Sequence, residues 1–468
     1  MKKTKKIIII AVAILLVVAT IAVVLATRKN ASTTEVLRSE HFSVSAAMVT
    51  YSLYDTYHYY YNEFGAEMLK VYFGIDANKP LHEQYSDEQK GVTWFDVFKT
   101  EAIDGFANSL ALCEAALEAG VELNDYDNKY IQAEIDALET LAGKDGMTIN
   151  EYIENVYGNK VKLDDIKQSR EIFRLANKMR YKIYSETDAT PDEIKAVVDK
   201  EGDTYLQRDV LCFELTLSND SAKTEQIKAY AKQMKEAKTE EEFRKFAEDF
   251  IKTDYCVNIG TGKVVSKNTV QNNVSEDEKT ELTSWFFASG TKVGDTYLKE
   301  GNAAYTVYMI ISDPAMDETL TRDMYTIVFE SFAYGTVDEC KAKADEIYNK
   351  WVADGAKLED FKALAKQYST DNFSVASGGY YSNIIKGTMV EELDIWLFAD
   401  TTAVGAHTVI KTDIGCHIMY YAGEGEPVWK EPVIESIRED KVSSTILGYT
   451  EKYPVEQVAG NMKYVKAK

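Results

Sequence analysis

The sequence predicts an α+β protein with an N-terminal transmembrane helix, an α-helical domain and two α+β units in tandem. The chain has 468 residues, roughly three times the commonest domain size, so several packed domains are expected. Its 45% of hydrophobic residues are ample for several cores. Near residue 205, long stretches of helical periodicity give way to short β-rich runs that alternate with helices, which separates the helical domain from the tandem units.

An apolar run at residues 7–26 forms the predicted transmembrane helix. About 20 residues of helix span the hydrocarbon core of a bilayer, and only Thr20 interrupts this run. The lysines before it place the N-terminus in the cytoplasm and the bulk of the chain outside, so residues 1–30 are predicted as a basic cytoplasmic tip and a single-pass anchor in the cell membrane. The alternative is a cleaved signal peptide ending near Ala26, which would give a secreted protein. The length of the run and the Arg28-Lys29 pair after it favour the anchor.

The charge of the chain is divided unequally along its length. The 53 basic and 76 acidic residues give a formal net charge of −23. Six of the basic residues and none of the acidic ones lie in the first 30 residues, so the remainder carries −29. A body this acidic repels phosphate backbones, and we therefore expect no nucleic-acid partner.

The cysteines and histidines give no sign of a metal or cofactor site. The five cysteines are dispersed, odd in number and never in a C-x-x-C arrangement, so neither a disulfide framework nor a zinc site is expected. The five histidines lack the i, i+4 spacing of a metal-binding helix. We predict no cofactor and no metal, with the cysteines acting as small buried hydrophobic residues.

Residues 31–200 are predicted to form the α-helical domain. Apolar and aromatic residues recur at helical spacing in the segments 41–73, 94–119, 131–141 and 164–184. Gly120 supplies a helix stop, and Thr148 begins a capping box. Thr190 precedes a proline and stands three residues before a glutamate, which predicts the start of another helix. Everything from 41 to about 200 is therefore predicted as α.

The α+β part contains an internal repeat. One order of strands and helices runs through residues 205–314 and recurs in residues 319–424. Trp285, Phe287, Ala288, Val293 and Gly294 match Trp396, Phe398, Ala399, Val404 and Gly405 at a constant offset of 111 residues. We therefore predict two copies of one unit, and a helix at 432–447, within the remaining residues 427–468, that could return to complete the helical domain.

The second copy carries the most specific motifs. They are Asp360-Phe361, Leu364-Ala365, Tyr368-Ser369-Thr370-Asp371, Gly378-Gly379, Gly387, Met389, Phe398-Ala399, Val404-Gly405, Gly415 and His417-Ile418. In order and spacing this unit resembles the parvulin family of peptidyl-prolyl isomerases. The layout of membrane segment, helical region, two such units and returning helix also resembles the extracytoplasmic foldases of the PrsA and SurA type.

The resemblance implies an enzyme that isomerises X-Pro bonds in unfolded or newly exported polypeptides. Rotation about this amide crosses about 18–20 kcal/mol because resonance is lost in the twisted geometry, and no bond is made or broken. A catalyst needs an apolar pocket for the proline ring and a polar floor complementary to the twisted amide. The helical domain would hold client segments by burying their apolar surface, and its charge would favour basic clients.

Three apolar residues take the family's proline-pocket positions. Met389 and Leu393 are i, i+4 on one predicted helix and share a face, and Phe398 follows just beyond. Leu393 stands where the family often has an aromatic residue. The resemblance therefore implies that these three side chains bind the substrate.

The polar floor departs from the family in one position. The resemblance carries His417 over to the family's second histidine and Asp371 to its Cys or Asp position. The first histidine falls at Thr326, whose hydroxyl can still hydrogen-bond a histidine or the substrate. The implied catalytic residues are therefore His417, Asp371 and Thr326.

The first copy lacks these features. Thr306 stands opposite His417, and no histidine occurs between residues 83 and 406. We predict a degenerate unit that serves as a scaffold or a peptide-binding surface. If the second copy is inactive as well, the chain is a holdase chaperone or an assembly scaffold, an alternative that Thr326 favours. The sequence leaves the clients and the oligomeric state open.

Overall fold

The computed structural model describes residues 31–158, 160–256, 265–272 and 280–468. The predicted basic tip and transmembrane helix at 1–30 lie outside this part of the chain. None of the described helices combines the length and the apolar composition needed to cross a bilayer.

Six helices build the described helical domain. They are α1 (Ala46–Met68), α2 (Trp94–Glu118), α3 (Asp125–Lys144), α4 (Ile149–Tyr157), α5 (Leu163–Ser185) and α6 (Pro191–Glu201). The predicted helices are confirmed. Capping boxes at Thr93, Thr148 and Thr190 start three of them, because each threonine oxygen accepts the N3 amide and the N3 carboxylate accepts the threonine amide. Gly120 follows α2 with φ of +66°, a conformation that costs glycine little.

The prediction that residues 41–200 are entirely α is wrong at three short strands. These are β2 (Ser43–Ser45), β3 (Tyr85–Asp87) and β4 (Val92–Thr93). Strand β1 (Glu35–Arg38) pairs with β2 and, on its other edge, with β13 (Glu456–Gln457) from the end of the chain. Strands of two to four residues show no measurable alternation, so local pattern could not reveal them.

The end of the chain returns to the helical domain. The helix predicted at 432–447 is α14 (Glu431–Lys452), which packs against α2 and α5. Val442 and Val465 are buried in the same hydrophobic core as Tyr51 and Phe106. One core is therefore built from the two ends of the described chain.

Each α+β unit is built on a four-stranded antiparallel sheet. The first sheet has the order β6 (Ser266–Gln271), β5 (Gln207–Thr216), β8 (Ala304–Ile310), β7 (Thr296–Glu300), and its helices are α7 (Ser221–Met234), α8 (Glu240–Ile251) and α9 (Glu281–Phe286). The second has the order β10 (Tyr380–Ile384), β9 (Leu320–Glu330), β12 (Gly415–Pro427), β11 (His407–Thr412). Its helices are α10 (Ser331–Tyr334), α11 (Val337–Ala353), α12 (Leu358–Tyr368) and α13 (Glu391–Leu397).

Equivalent hydrogen bonds recur in the two copies at the predicted offset of 111 residues. They join Gly294 N to Ile310 O and Gly405 N to Tyr421 O, both at 2.9 Å, and Thr291 Oγ1 to Trp285 O (2.8 Å) and Thr402 Oγ1 to Trp396 O (2.7 Å). The two sheets also have the same strand order. The internal repeat is therefore confirmed, and the molecule is a mixed α+β protein with a helical domain and two related units.

The sheet of the second copy has two different faces because side chains alternate along each strand. Ile327, Phe329 and Ile418 point to one face, where they form a core with residues of α11 and α12. The opposite face carries Thr326 and His417. The candidate site is built on this second face.

Candidate active site

Thr326 and His417 lie on the two central strands of the second copy. Thr326 pairs with Met419 between β9 and β12, and His417 pairs with Val328. Since His417 and Met419 are two residues apart, the imidazole shares a face with Thr326 and lies diagonally across from it. The structure thus places two of the predicted catalytic residues next to each other.

Both of these side chains are buried and keep a polar atom without a hydrogen-bond partner among the described residues. His417 is 9% exposed and its Nε2 is unpartnered, and Thr326 is 3% exposed with an unpartnered Oγ1. An unsatisfied buried polar group costs about 1–3 kcal/mol, so two adjacent ones indicate a place where a ligand would satisfy them. Burial lowers the pKa of His417 to about 4, which leaves the imidazole neutral near neutral pH.

Asp371 lies near His417 in the loop after α12, and no described hydrogen bond joins the two. Its carboxylate accepts from Tyr381 Oη (2.8 Å), from Phe373 N (3.1 Å) and from the Ser374 hydroxyl. Its negative charge opposes the lowering of the His417 pKa that burial causes. Asp371 therefore orders this loop and adds a negative field at the imidazole.

The three predicted pocket residues lie in one apolar cluster on the same sheet face. The prediction that Met389 shares a helix with Leu393 is wrong, because α13 begins at Glu391 and Met389 lies in the turn before it. Leu393 is 3% exposed, whereas Met389 and Phe398 are half-buried. The cluster also contains Met324, Met419 and Tyr421. Because Met419 is the strand partner of Thr326, the apolar cluster directly adjoins the polar pair. Met389 and Phe398 are therefore the two predicted residues that an incoming ring can reach without displacing the core.

The Gly378-Gly379 turn brings β10 against Thr326. Both glycines have positive φ, +74° and +90°. A Cβ on Gly379 would overlap the carbonyl oxygen of Thr326, and the Thr326 amide donates to Gly379 O at 2.8 Å. Only glycine allows the backbone at residue 379 to come this close to Thr326, which is the geometric reason for the Gly378-Gly379 motif.

The candidate site opens into a cavity of about 540 Å³ between the second copy and the helical domain. On the sheet side its lining includes His417, Asp371 and Glu330, and on the helical side it includes Tyr130, Arg170 and Arg174 of α3 and α5. The sequence did not reveal this juxtaposition, since nothing local connects α3 or α5 with residues more than 150 positions later. The helical domain therefore forms one wall of the site.

Aromatic side chains beside this cavity join the second copy to the helical domain. Phe373 lies 5.6 Å from the ring of Tyr181 and 5.1 Å from that of Tyr184, both on α5. Tyr334 Oη donates to Tyr126 Oη at 2.6 Å. The sequence did not predict a role for Phe373. The one signal that could have indicated this role is its aromatic side chain in a loop, two residues after Asp371.

The first copy places different side chains at the equivalent positions. Cys212 pairs with Tyr308 as Thr326 pairs with Met419, and Thr306 takes the place of His417. The Tyr308 ring packs 5.6 Å from that of Phe286 within an apolar cluster. This face has no imidazole and is filled by a tyrosine, an arrangement in keeping with the predicted loss of catalysis.

Comparison with known proteins identifies the second copy. Residues 327–422 match the family model described as the PPIC-type PPIASE domain. The matched range contains His417, Asp371, Met389, Leu393 and Phe398. Thr326, on β9, immediately precedes it. The resemblance of this unit to the parvulin-type isomerases is therefore confirmed. No curated protein matches the chain.

Several solved structures are similar to parts of the chain at low identity. Peptidylprolyl isomerase (PrsA) from Bacillus anthracis is 20% identical, and the match covers 29% of this chain and 61% of that one, with a TM-score of 0.19. PrsA from Bacillus subtilis is 14% identical over 77% of this chain and 88% of that one, with a TM-score of 0.19. Foldase protein PrsA from Streptococcus pneumoniae is 12% identical over 59% and 84%, with a TM-score of 0.22.

Proposed function

We propose that the chain is a membrane-anchored extracytoplasmic foldase that isomerises X-Pro bonds and binds unfolded, newly exported polypeptides. The observation that carries the proposal is the pair of unpartnered buried atoms, His417 Nε2 and Thr326 Oγ1, beside an apolar cluster in the PPIC-type domain. In this proposal residues 7–26 supply the membrane anchor. The reaction to be accelerated is X-Pro isomerisation in the client, which takes tens to hundreds of seconds when uncatalysed.

The geometry suggests how the side chains would act on the amide. The proline ring would lie against Met389 and Phe398, and the amide would lie over Thr326 and His417. A neutral imidazole and a hydroxyl can exchange hydrogen bonds with the amide as it twists, so both would stabilise the transition state without proton transfer to the substrate. Asp371 would act by holding its loop in place and through the effect of its negative charge on His417.

Client binding in this proposal uses an apolar surface at the far end of α1. Tyr59, Tyr72 and Val71 are 65%, 70% and 71% exposed, and Phe64 and Phe73 are about 40% exposed. Exposed apolar clusters of this kind mark interaction sites. Unfolded segments would bury their own apolar side chains here while the second copy acts on their prolines.

A proline-tetrapeptide isomerisation assay on the purified chain tests the catalytic proposal. We expect His417→Ala and Thr326→Ala each to lower kcat/KM, His417→Ala by about a hundredfold, because each removes a group that contacts the twisted amide. Thr306→Ala, at the equivalent position of the first copy, is the matched control and should retain full activity. Equal activity of the His417→Ala variant and the unaltered chain would refute the site.

A holdase without isomerase activity is the second candidate function. It is favoured by Thr326 at the position of the first family histidine and by the helical wall that faces the site. Suppressed aggregation of a proline-free client, together with no acceleration of the tetrapeptide, would decide for the holdase. Acceleration that depends on His417 would decide against it.

A further inference from the structure

Three carboxylates surround His417 without a cationic partner. Glu330 and Asp371 line the same cavity as His417, and Glu392, in the first turn of α13, acts electrostatically on the imidazole. None of the three forms a salt bridge with a Lys or Arg among the described residues. The donors to Asp371 are two hydroxyls and one amide. The sheet side of the cavity therefore holds negative charge without a salt-bridge partner, and Arg174 of the helical wall acts on Glu330 electrostatically without forming a salt bridge.

The cations on the helical wall form their salt bridges within the helical domain. Arg174 and Lys178 bind the buried Asp127 at 2.8 and 2.5 Å. Arg170 lies 3.3 Å from Asp55 and 3.7 Å from Glu134. The charged residues that line the cavity are the acids Glu134, Glu330 and Asp371 and the bases Arg170 and Arg174, so the lining is negative in sum. Arg170 and Arg174 have salt-bridge partners in the helical domain, whereas Glu330 and Asp371 on the sheet side have none among the described residues.

The unpartnered imidazole shows that a ligand belongs beside these carboxylates. His417 is more than nine-tenths buried and lines the cavity, yet its Nε2 has no partner in the described chain. Burial raises the pKa of the half-buried Glu330 carboxyl by more than the Thr370 hydrogen bond and the Arg174 charge lower it. A ligand that hydrogen-bonds His417 and brings a positive charge would satisfy both groups at once.

The strand geometry indicates which part of a substrate meets the carboxylates. Thr326, Val328 and Glu330 share one face of β9, with about 6.6 Å between successive members. The isomerising amide joins the proline to the residue before it. With the ring on the apolar cluster and the amide over Thr326 and His417, the preceding residue lies about 3.3–3.6 Å further along the face toward Glu330. Only a long side chain at that position would cover the remaining distance to the carboxylate.

We infer that the site selects X-Pro segments in which X is lysine or arginine, with Glu330 and Asp371 recognising the positive charge and Glu392 adding to the field. This inference rests on the proposed function, because it assumes that an X-Pro segment binds at this face. It narrows the substrate from any X-Pro bond to those with a basic residue before proline.

The test compares three proline tetrapeptides that have Lys, Ala or Glu before proline. Binding is measured by calorimetry and isomerisation by kcat/KM, both with the full chain at about 0.02 M salt. One unscreened charge about 6 Å from a carboxylate changes either quantity about tenfold, so we expect the order Lys, Ala, Glu. The Lys preference should shrink severalfold at about 0.5 M salt.

Glu330→Gln should lower the Lys-to-Glu ratio severalfold without abolishing it, because Asp371 and Glu392 remain. Glu241→Gln, which alters an exposed carboxylate in the first copy, should leave the ratio unchanged. Equal binding and equal kcat/KM for the Lys and Glu peptides would overturn the inference and leave the isomerase proposal intact. Tighter binding of the Lys peptide that depends on Glu330, without turnover, would support the inference while refuting the isomerase. Absence of binding by all three peptides would overturn it.

Discussion

At the scale of single residues, the site is defined by polar atoms that the fold leaves unpaired. His417 and Thr326 are both buried, and each keeps an atom without a described partner. Asp371 differs, because its carboxylate accepts hydrogen bonds from Tyr381, Ser374 and the loop backbone. The two groups with an unpartnered atom are thus distinguished from the carboxylate that is held by its own loop.

The lowered pKa of His417 predicts that stability falls as the pH falls. Burial is the main cause, and the pKa is about 4 against an ordinary value of 6.5. Between these values the unfolded chain binds a proton that the folded chain does not, so the free energy of unfolding decreases below pH 6.5 and levels off below pH 4. The loss at pH 4.5 relative to pH 7.5 is about 2 kcal/mol from this residue.

Urea unfolding followed by tryptophan fluorescence at the two pH values measures this loss. The His417→Gln variant should lose about 2 kcal/mol less than the unaltered chain, while the other four histidines are the same in both proteins and cancel. An identical pH dependence in the two proteins would show that His417 is not buried in its neutral form.

At the scale of secondary-structure elements, the two copies share a hydrogen bond from a strand arginine to the end of a helix, which the sequence did not predict. Arg208 on β5 is 2% exposed and donates to Phe286 O at 2.6 Å, at the end of α9. Arg322 on β9 donates in the same way to Leu397 O, at the end of α13. Each arginine satisfies a helix-terminal carbonyl that would otherwise lack a donor. The repeat therefore preserves a helix-to-sheet connection even where the site residues differ.

Arg208→Met should destabilise the first copy by about 2–4 kcal/mol, since it leaves the carbonyls of Phe286 and Ser312 buried without their donor. Arg244→Met, which removes an exposed i, i+4 pair with Glu240, is the control and should cost less than about 1 kcal/mol. Thermal unfolding of both variants measures the difference. Equal costs would mean that the buried guanidinium makes no net contribution.

At the scale of the whole molecule, two long-range contacts decide the architecture. Helix α14 and strand β13 return to the helical domain from the end of the chain. The second copy docks on α3 and α5 through Phe373 and Tyr334. Both contacts join segments that are more than 150 residues apart, and the second one places the candidate site against a helical wall.

The return of α14 predicts unequal effects of two substitutions on this helix. Val442 is 7% exposed and belongs to the helical core, whereas Leu447 is 61% exposed. Val442→Ala should lower the free energy of unfolding by about 1–3 kcal/mol, and Leu447→Ala by less than about 0.5 kcal/mol. Urea unfolding followed by circular dichroism distinguishes them. A larger effect at Leu447 would contradict the observed packing.

Phe373→Ala should loosen the docking of the second copy on α5. The substitution removes aromatic contacts with Tyr181 and Tyr184, each worth about 0.5–1.5 kcal/mol beyond the buried area. Hydrogen exchange should become faster in residues 181–184 and 371–381. Ile395→Ala, a 63% exposed residue of the same copy, is the control and should leave these rates unchanged. Unchanged rates in the Phe373 variant would show that other contacts hold the interface.

The sequence by itself determined the helices and the repeated unit, because helical periodicity, capping motifs and a constant repeat offset are properties of the chain alone. Its resemblance to the parvulin family supplied the candidate site residues His417, Asp371 and Met389. It predicted that the end of the chain could return to the helical domain, but it did not determine the short strands or the wall that α3 and α5 place opposite His417. Those features depend on contacts between distant segments, whose pairing is set by burial of apolar surface and leaves no local pattern. Only the tertiary structure decided that a site with two unpaired atoms and two carboxylates without a salt bridge faces the helical domain.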